Sequence, residues 1–147
     1  MKDLQTTLMR LQSLLEELES TLLEEIKQLS QAQVNPVSLQ VVSDSKSRSL
    51  SAINFYDEQR KQAEKQRQLA APYSQHPKLA ARWNKILHVV KHTSELNQQS
   101  FQLLEIHMKK MNELKKLVQQ AGAAPSLYGE NGDRDQKNSG NSYHISV

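Results

Sequence analysis

Residues 77–120 read PKLAARWNKILHVVKHTSELNQQSFQLLEIHMKKMNELKKLVQQ. No Gly or Pro interrupts the stretch after its first residue, and Gly122 and Pro125 follow it, so it is predicted to be one helix. At about 1.5 Å per residue it is about 66 Å long. Apolar residues recur three and four apart: Leu79, Trp83, Ile86 and Val90, then Phe101, Leu104, Met108, Met111, Leu114 and Val118. That period places them on one stripe. Lysines 78, 85, 91, 109, 110, 115 and 116 occupy the other side. A helix this long cannot bury its own stripe, so the rest of the chain, or a partner, must cover it.

The whole chain agrees with long helices. It has 147 residues, of which 24% are charged and 5% aromatic, with only four Gly and four Pro. This describes one domain with a thin aliphatic core. The absence of Cys excludes disulfides, thiol catalysis and thiolate metal sites. The polar N-terminus is unlike a signal peptide, and no apolar run approaches the roughly 20 residues that span a bilayer. A cytoplasmic protein without membrane insertion is expected. The net charge of +3 is unevenly spread, since residues 1–35 hold three basic and six acidic side chains and residues 76–120 hold eight and three. The two segments are complementary, so the lysines read as a solvated helix face rather than a nucleic-acid surface.

Upstream, Leu4, Leu8, Leu11, Leu15, Leu18 and Leu22 alternate steps of four and three, a heptad seam of about three repeats. It breaks at Glu25, and Leu14 and Leu23 widen the stripe enough for two neighbours. A first helix over residues 3–31 is expected. Asn35-Pro36 is an N-cap followed by a favoured first helical residue, and Pro72 ends the second helix, expected over 36–70. Leu39, Val42, Leu50 and Ile53 form its stripe, joined by Phe55 and Tyr56 and interrupted by Lys46 and Ser49. From Asp57 to Gln68 the only apolar residue is Ala63, so this part is expected to be solvated and to fray.

Short connections imply antiparallel neighbours. The expected fold is all-α: an antiparallel up-down-up bundle of three long helices with coiled-coil-like packing over 1–121, and a disordered tail over 122–147. The third helix then overhangs the first. Leu104, Met108, Met111, Leu114, Leu117 and Val118 are the candidate partner-binding residues, suited to an amphipathic segment of another protein. Alternatively the tail or a second copy covers them, making a self-associating structural coiled coil. Thr93, Asn97 and Ser100 make the middle of the stripe polar, and either fix register or line a groove.

Catalytic signatures are missing. His88 and His92 share a face but lack the Glu of a H-E-x-x-H motif and a third ligand. Tyr128 to Gly132 has two Gly but no Lys-Ser/Thr after them. No enzyme activity, metal or cofactor is expected.

The segments Ala81-Arg82-Trp83-Asn84-Lys85-Ile86, Leu96-Asn97-Gln98-Gln99, Leu103-Leu104-Glu105, Pro125-Ser126-Leu127-Tyr128-Gly129-Glu130-Asn131-Gly132 and Ile145-Ser146-Val147 together resemble the FlgN family of flagellar type III export chaperones. The resemblance runs along the whole chain, and the Leu-Tyr-Gly-x-Asn-Gly segment is its most specific part. It implies a chaperone that holds the C-terminal amphipathic segment of hook-associated proteins 1 and 3, prevents their premature assembly and delivers them to the export gate. It also implies docking on the gate's cytoplasmic domain through Leu127, Tyr128 and Gly129, and exchange with the export ATPase escort protein.

Overall fold

The computed structural model describes residues 2–122. Three α-helices account for nearly all of them: α1 Lys2–Leu29, α2 Pro36–Arg67 and α3 Pro77–Gln120. α1 packs against both α2 and α3. The chain is all-α, as the heptad and helical periods require.

Cross-helix pairs give the direction of each helix. Asp3 and Glu25 at the two ends of α1 meet Arg67 and Lys46 of α2, which runs antiparallel. Gln12, Glu19 and Glu25 meet Arg82, His92 and Ser100, so α3 runs parallel to α1. The acidic first helix is thus paired from both sides, not by α3 alone.

The leucine seam forms the core. Leu4, Leu8, Leu11, Leu15, Leu18 and Leu22 are at most 1% exposed. Burying each contributes on the order of 1.5–3 kcal/mol before entropy is counted. Ile53 of α2 and Leu79, Trp83, Ile86 and Leu96 of α3 close over them. α1, flanked on two sides, is therefore the element around which the bundle is built. Leu14 joins this core whereas Leu23 is half-exposed.

Local chemistry sets the helix ends. The Asn35 side chain accepts from the backbone N–H groups of Val37 and Ser38 at 3.0 and 3.2 Å, and Pro36 opens α2. α2 ends at Arg67. Gln68 takes the left-handed conformation, φ 54°, and the Leu69 N–H donates back to Glu64 O at 2.9 Å. That closing turn engages the Glu64 and Lys65 carbonyls, which a continuing helix would have used for its next two residues.

The polar half of α2 corrects a sequence expectation. Asp57 and Arg60 are each only 3% exposed and the helix runs to Arg67, so one side of this segment is buried and ordered, while Glu58, Gln59, Gln62 and Lys65 on the other side are exposed as expected. Arg60 Nε donates to Asp57 Oδ1 at 2.9 Å and its Nη1 to Glu64 Oε2 at 2.7 Å. Its guanidinium lies 4.8 Å from the centre of the Trp83 ring. Tyr73, in the α2–α3 connection, donates its hydroxyl to the same Glu64 oxygen at 2.5 Å and meets Trp83 edge-on. These polar groups are buried because they satisfy one another under an aromatic lid. Burial alone would lower the Arg60 pKa, but Asp57 and Glu64 outweigh it and raise it. Burial, then Glu64, pushes the Tyr73 hydroxyl well above its ordinary value.

Candidate functional site

The opposite end of the bundle is built differently. Glu25 falls where the heptad calls for another core residue, and it is 8% exposed. Lys46 Nζ of α2 lies 3.3 Å from Glu25 Oε1, and Ser100 Oγ of α3 donates to the same oxygen. One polar layer therefore joins all three helices. Thr93, also on the polar middle of α3, is buried, with its hydroxyl donating to Val90 O at 3.0 Å. The buried track of α3 thus passes through Thr93, Leu96 and Ser100, while Phe101, expected on the stripe, is 43% exposed.

Since Glu25 stands opposite Ser100, the end of α1 at Leu29 stands beside Leu104. The segment from Glu105 to Gln120 continues past α1 for about 24 Å at about 1.5 Å per residue. The α1–α2 connection folds against the start of this overhang and leaves a hollow on either side. The larger, about 730 Å³, runs between Ser30–Val34 of the connection and Leu103, Ile106, Lys110, Met111 and Leu114 of α3. The smaller, about 250 Å³, lies between Leu39 and Ser43 of α2 and Leu104 and Met108 of α3, with Glu25 in its wall. Leu29 and His107 line both and form the saddle between them.

The six candidate residues on α3 therefore fall into three groups. Leu104 and Met108 are half-buried in the smaller recess, and Met111 and Leu114 line the larger groove. Leu117 and Val118, 62% and 50% exposed, lie beyond both on the free end. Leu127, Tyr128 and Gly129 lie outside the described residues. The walls supplied by Leu29, Leu39, Ser43, the α1–α2 connection and His107 were not foreseen. Only the break in the leucine seam at Glu25 and the interruption at Lys46 signalled them, and their pairing needs the helix register.

Nothing in this arrangement has the form of a catalytic centre. No group of three or more metal-type ligands occurs among the described residues. His92 Nδ1 is 2.7 Å from Glu19 across the α1–α3 interface, while His88 is exposed. The site is a long apolar helix face beside two hollows, suited to receiving another helix.

The model of the family described as FlgN protein matches residues 1–136. The chain belongs to the FlgN family. Two curated FlgN relatives, from Yersinia enterocolitica and a serotype O:8 strain of that species, are each described as flagella synthesis protein FlgN. Each is 33% identical over 129 residues, which is 88% of this chain and 87% of the relative. No solved structure matches the chain. The FlgN match covers all three helices and so includes the overhang of α3. No helix among the described residues is long and apolar enough to cross a membrane.

Proposed function

We propose that this member of the FlgN family is a cytoplasmic flagellar export chaperone without catalytic activity. It binds the C-terminal amphipathic segment of hook-associated proteins 1 and 3, keeps them from assembling early and delivers them to the type III export gate. The observation that carries this reading is the run of exposed apolar residues on the overhang. Met111, Leu114, Leu117 and Val118 are each about half exposed or more where α3 runs past the end of α1. Such a face offers a client helix the apolar contacts it will later make in the filament. Leu104 and Met108 extend the contact into the recess.

In this reading Leu127, Tyr128 and Gly129 dock on the cytoplasmic domain of the export gate, and the export ATPase escort protein exchanges with the chaperone. The deciding experiment is calorimetric titration with the C-terminal segment of a hook-associated protein. Binding in the micromolar range or tighter, with a negative heat-capacity change, supports burial of an apolar helix. No binding, together with a concentration-dependent dimer of the chain alone, would replace the reading with a self-associating coiled coil.

A further inference from the structure

The two hollows beside the α3 overhang differ in electrostatics, and this difference specifies the client more closely than apolar character does. The smaller recess, about 250 Å³, has room for a large side chain. Leu29, Leu39, Leu104 and Met108 line it, and the Glu25 carboxylate stands in its wall. A buried carboxylate beside an apolar recess would ordinarily select a Lys or Arg from a partner. Here Lys46 and Ser100 already occupy one Glu25 oxygen. A second cation would have to leave water for a charge that is already balanced, which is unfavourable beside a carboxylate that is itself buried.

The larger groove has the opposite bias. Its α1–α2 wall, Ser30 to Val34, carries no charge, and the ionic side chain lining it is Lys110. The acids of this half, Glu105 and Glu113, are exposed and line neither hollow. An incoming helix therefore meets the Lys110 charge within the groove.

We propose that the site selects amphipathic helices that bury one large uncharged apolar side chain in the Glu25–Met108 recess and carry acidic residues along the side facing Lys110. Helices with the same apolar stripe but basic flanks are discriminated against. This selectivity rests on the chaperone reading and deepens it. It follows from the neutralised carboxylate and the basic groove together, one rejecting a charged anchor and the other rejecting like charge.

Designed helical peptides of about 18 residues test it on the full chain. All share one leucine stripe, with Glu flanks in one and Lys flanks in another. A third has Glu flanks, but a Lys replaces the central leucine. At low salt the Glu-flanked peptide is expected to bind at least about tenfold tighter than the Lys-flanked one, and the gap should shrink as salt screens it. Lys110→Glu, at an exposed position, should reduce or reverse the preference, with helicity confirming an intact fold. The Lys-anchored peptide should bind at least about tenfold more weakly than its leucine parent. Equal affinity for both flanks, or a preference that Lys110→Glu leaves unchanged, overturns the selectivity while the chaperone reading stands. A Lys anchor that binds as well as leucine shows Glu25 reading a cation and overturns it too. If no striped peptide binds, the apolar face is not a client site and both readings fall.

Discussion

Tyr73 carries more of the architecture than its place in a connection suggests. It has φ 60°, in the left-handed region where a non-glycine residue costs on the order of 1 kcal/mol. Its hydrogen bond to Glu64 and its contact with Trp83 offset that cost. The raised pKa of its hydroxyl has a definite sign in stability. In the folded chain the proton is held above the ordinary value of 10.0, while in the unfolded chain it is lost near that value. The stabilisation is complete below about pH 10 and declines as pH rises above it, because the unfolded state then binds fewer protons. Tyr73→Phe should therefore lose part of the melting-temperature drop that the parent shows between about pH 9 and pH 11. A drop of equal size in both proteins would show that Tyr73 does not carry this linkage.

At the scale of the helices, the polar layer of Glu25, Lys46 and Ser100 sets a choice between stability and register. Removing one member of a buried ion pair typically costs about 3–5 kcal/mol, because the other charge is left without compensation. Glu25→Leu alone should lose stability of that order in a denaturant titration. Glu25→Leu with Lys46→Leu should recover most of the loss or exceed the parent, since a well-packed apolar layer replaces the charges. A double variant as unstable as the single one would argue that packing, not charge, explains the defect. Leu11→Ala, in the centre of the seam, should cost about 2–5 kcal/mol by the same measurement. The seam was legible in the sequence because its period is local to one helix. The polar layer was legible only in pieces: Glu25 as a break, Lys46 as an interruption and Ser100 as a polar stripe position. Their meeting depends on how three helices align. Within Asp57 to Gln68, the burial of Asp57 and Arg60 was not legible for a related reason. The spacing of Asp57, Arg60 and Glu64 is visible in the sequence, but the lid that buries them comes from Tyr73 and Trp83 beyond the turn. Phe101 was placed on the stripe by extending a regular period through a region where the buried track passes instead through Ser100.

The whole molecule has two unlike ends. At the α2–α3 connection the aromatic lid closes over satisfied charges; at the α1–α2 connection the helices part and α3 runs on. Removing apolar side chains from the free end should therefore separate binding from folding. Met111→Ser, Leu114→Ser and Leu117→Ser together should leave the melting temperature within a few degrees of the parent, since surface changes are usually within about 0.5 kcal/mol each. They should abolish binding of the hook-associated segment. Cooperative unfolding of that variant would instead assign these residues to the core. Tyr128→Ala should weaken binding to the export gate's cytoplasmic domain while client affinity stays constant, and undiminished gate binding would remove Tyr128 from that role.

The last turn of α3 has a spatial consequence for export. Gly122, at φ 78°, turns the chain out of the helix at the overhanging end, about 66 Å along α3 from Pro77. Residues after Gly122 therefore start at the pole where the client is proposed to lie, and the aromatic lid occupies the far pole. Leu127 and Tyr128 are five and six residues on, within about 20 Å of contour from that exit. On the proposed roles of the α3 overhang and of Leu127 and Tyr128, cargo and address are joined by only this short length of chain, so that recruitment at the gate would carry the client's segment with it.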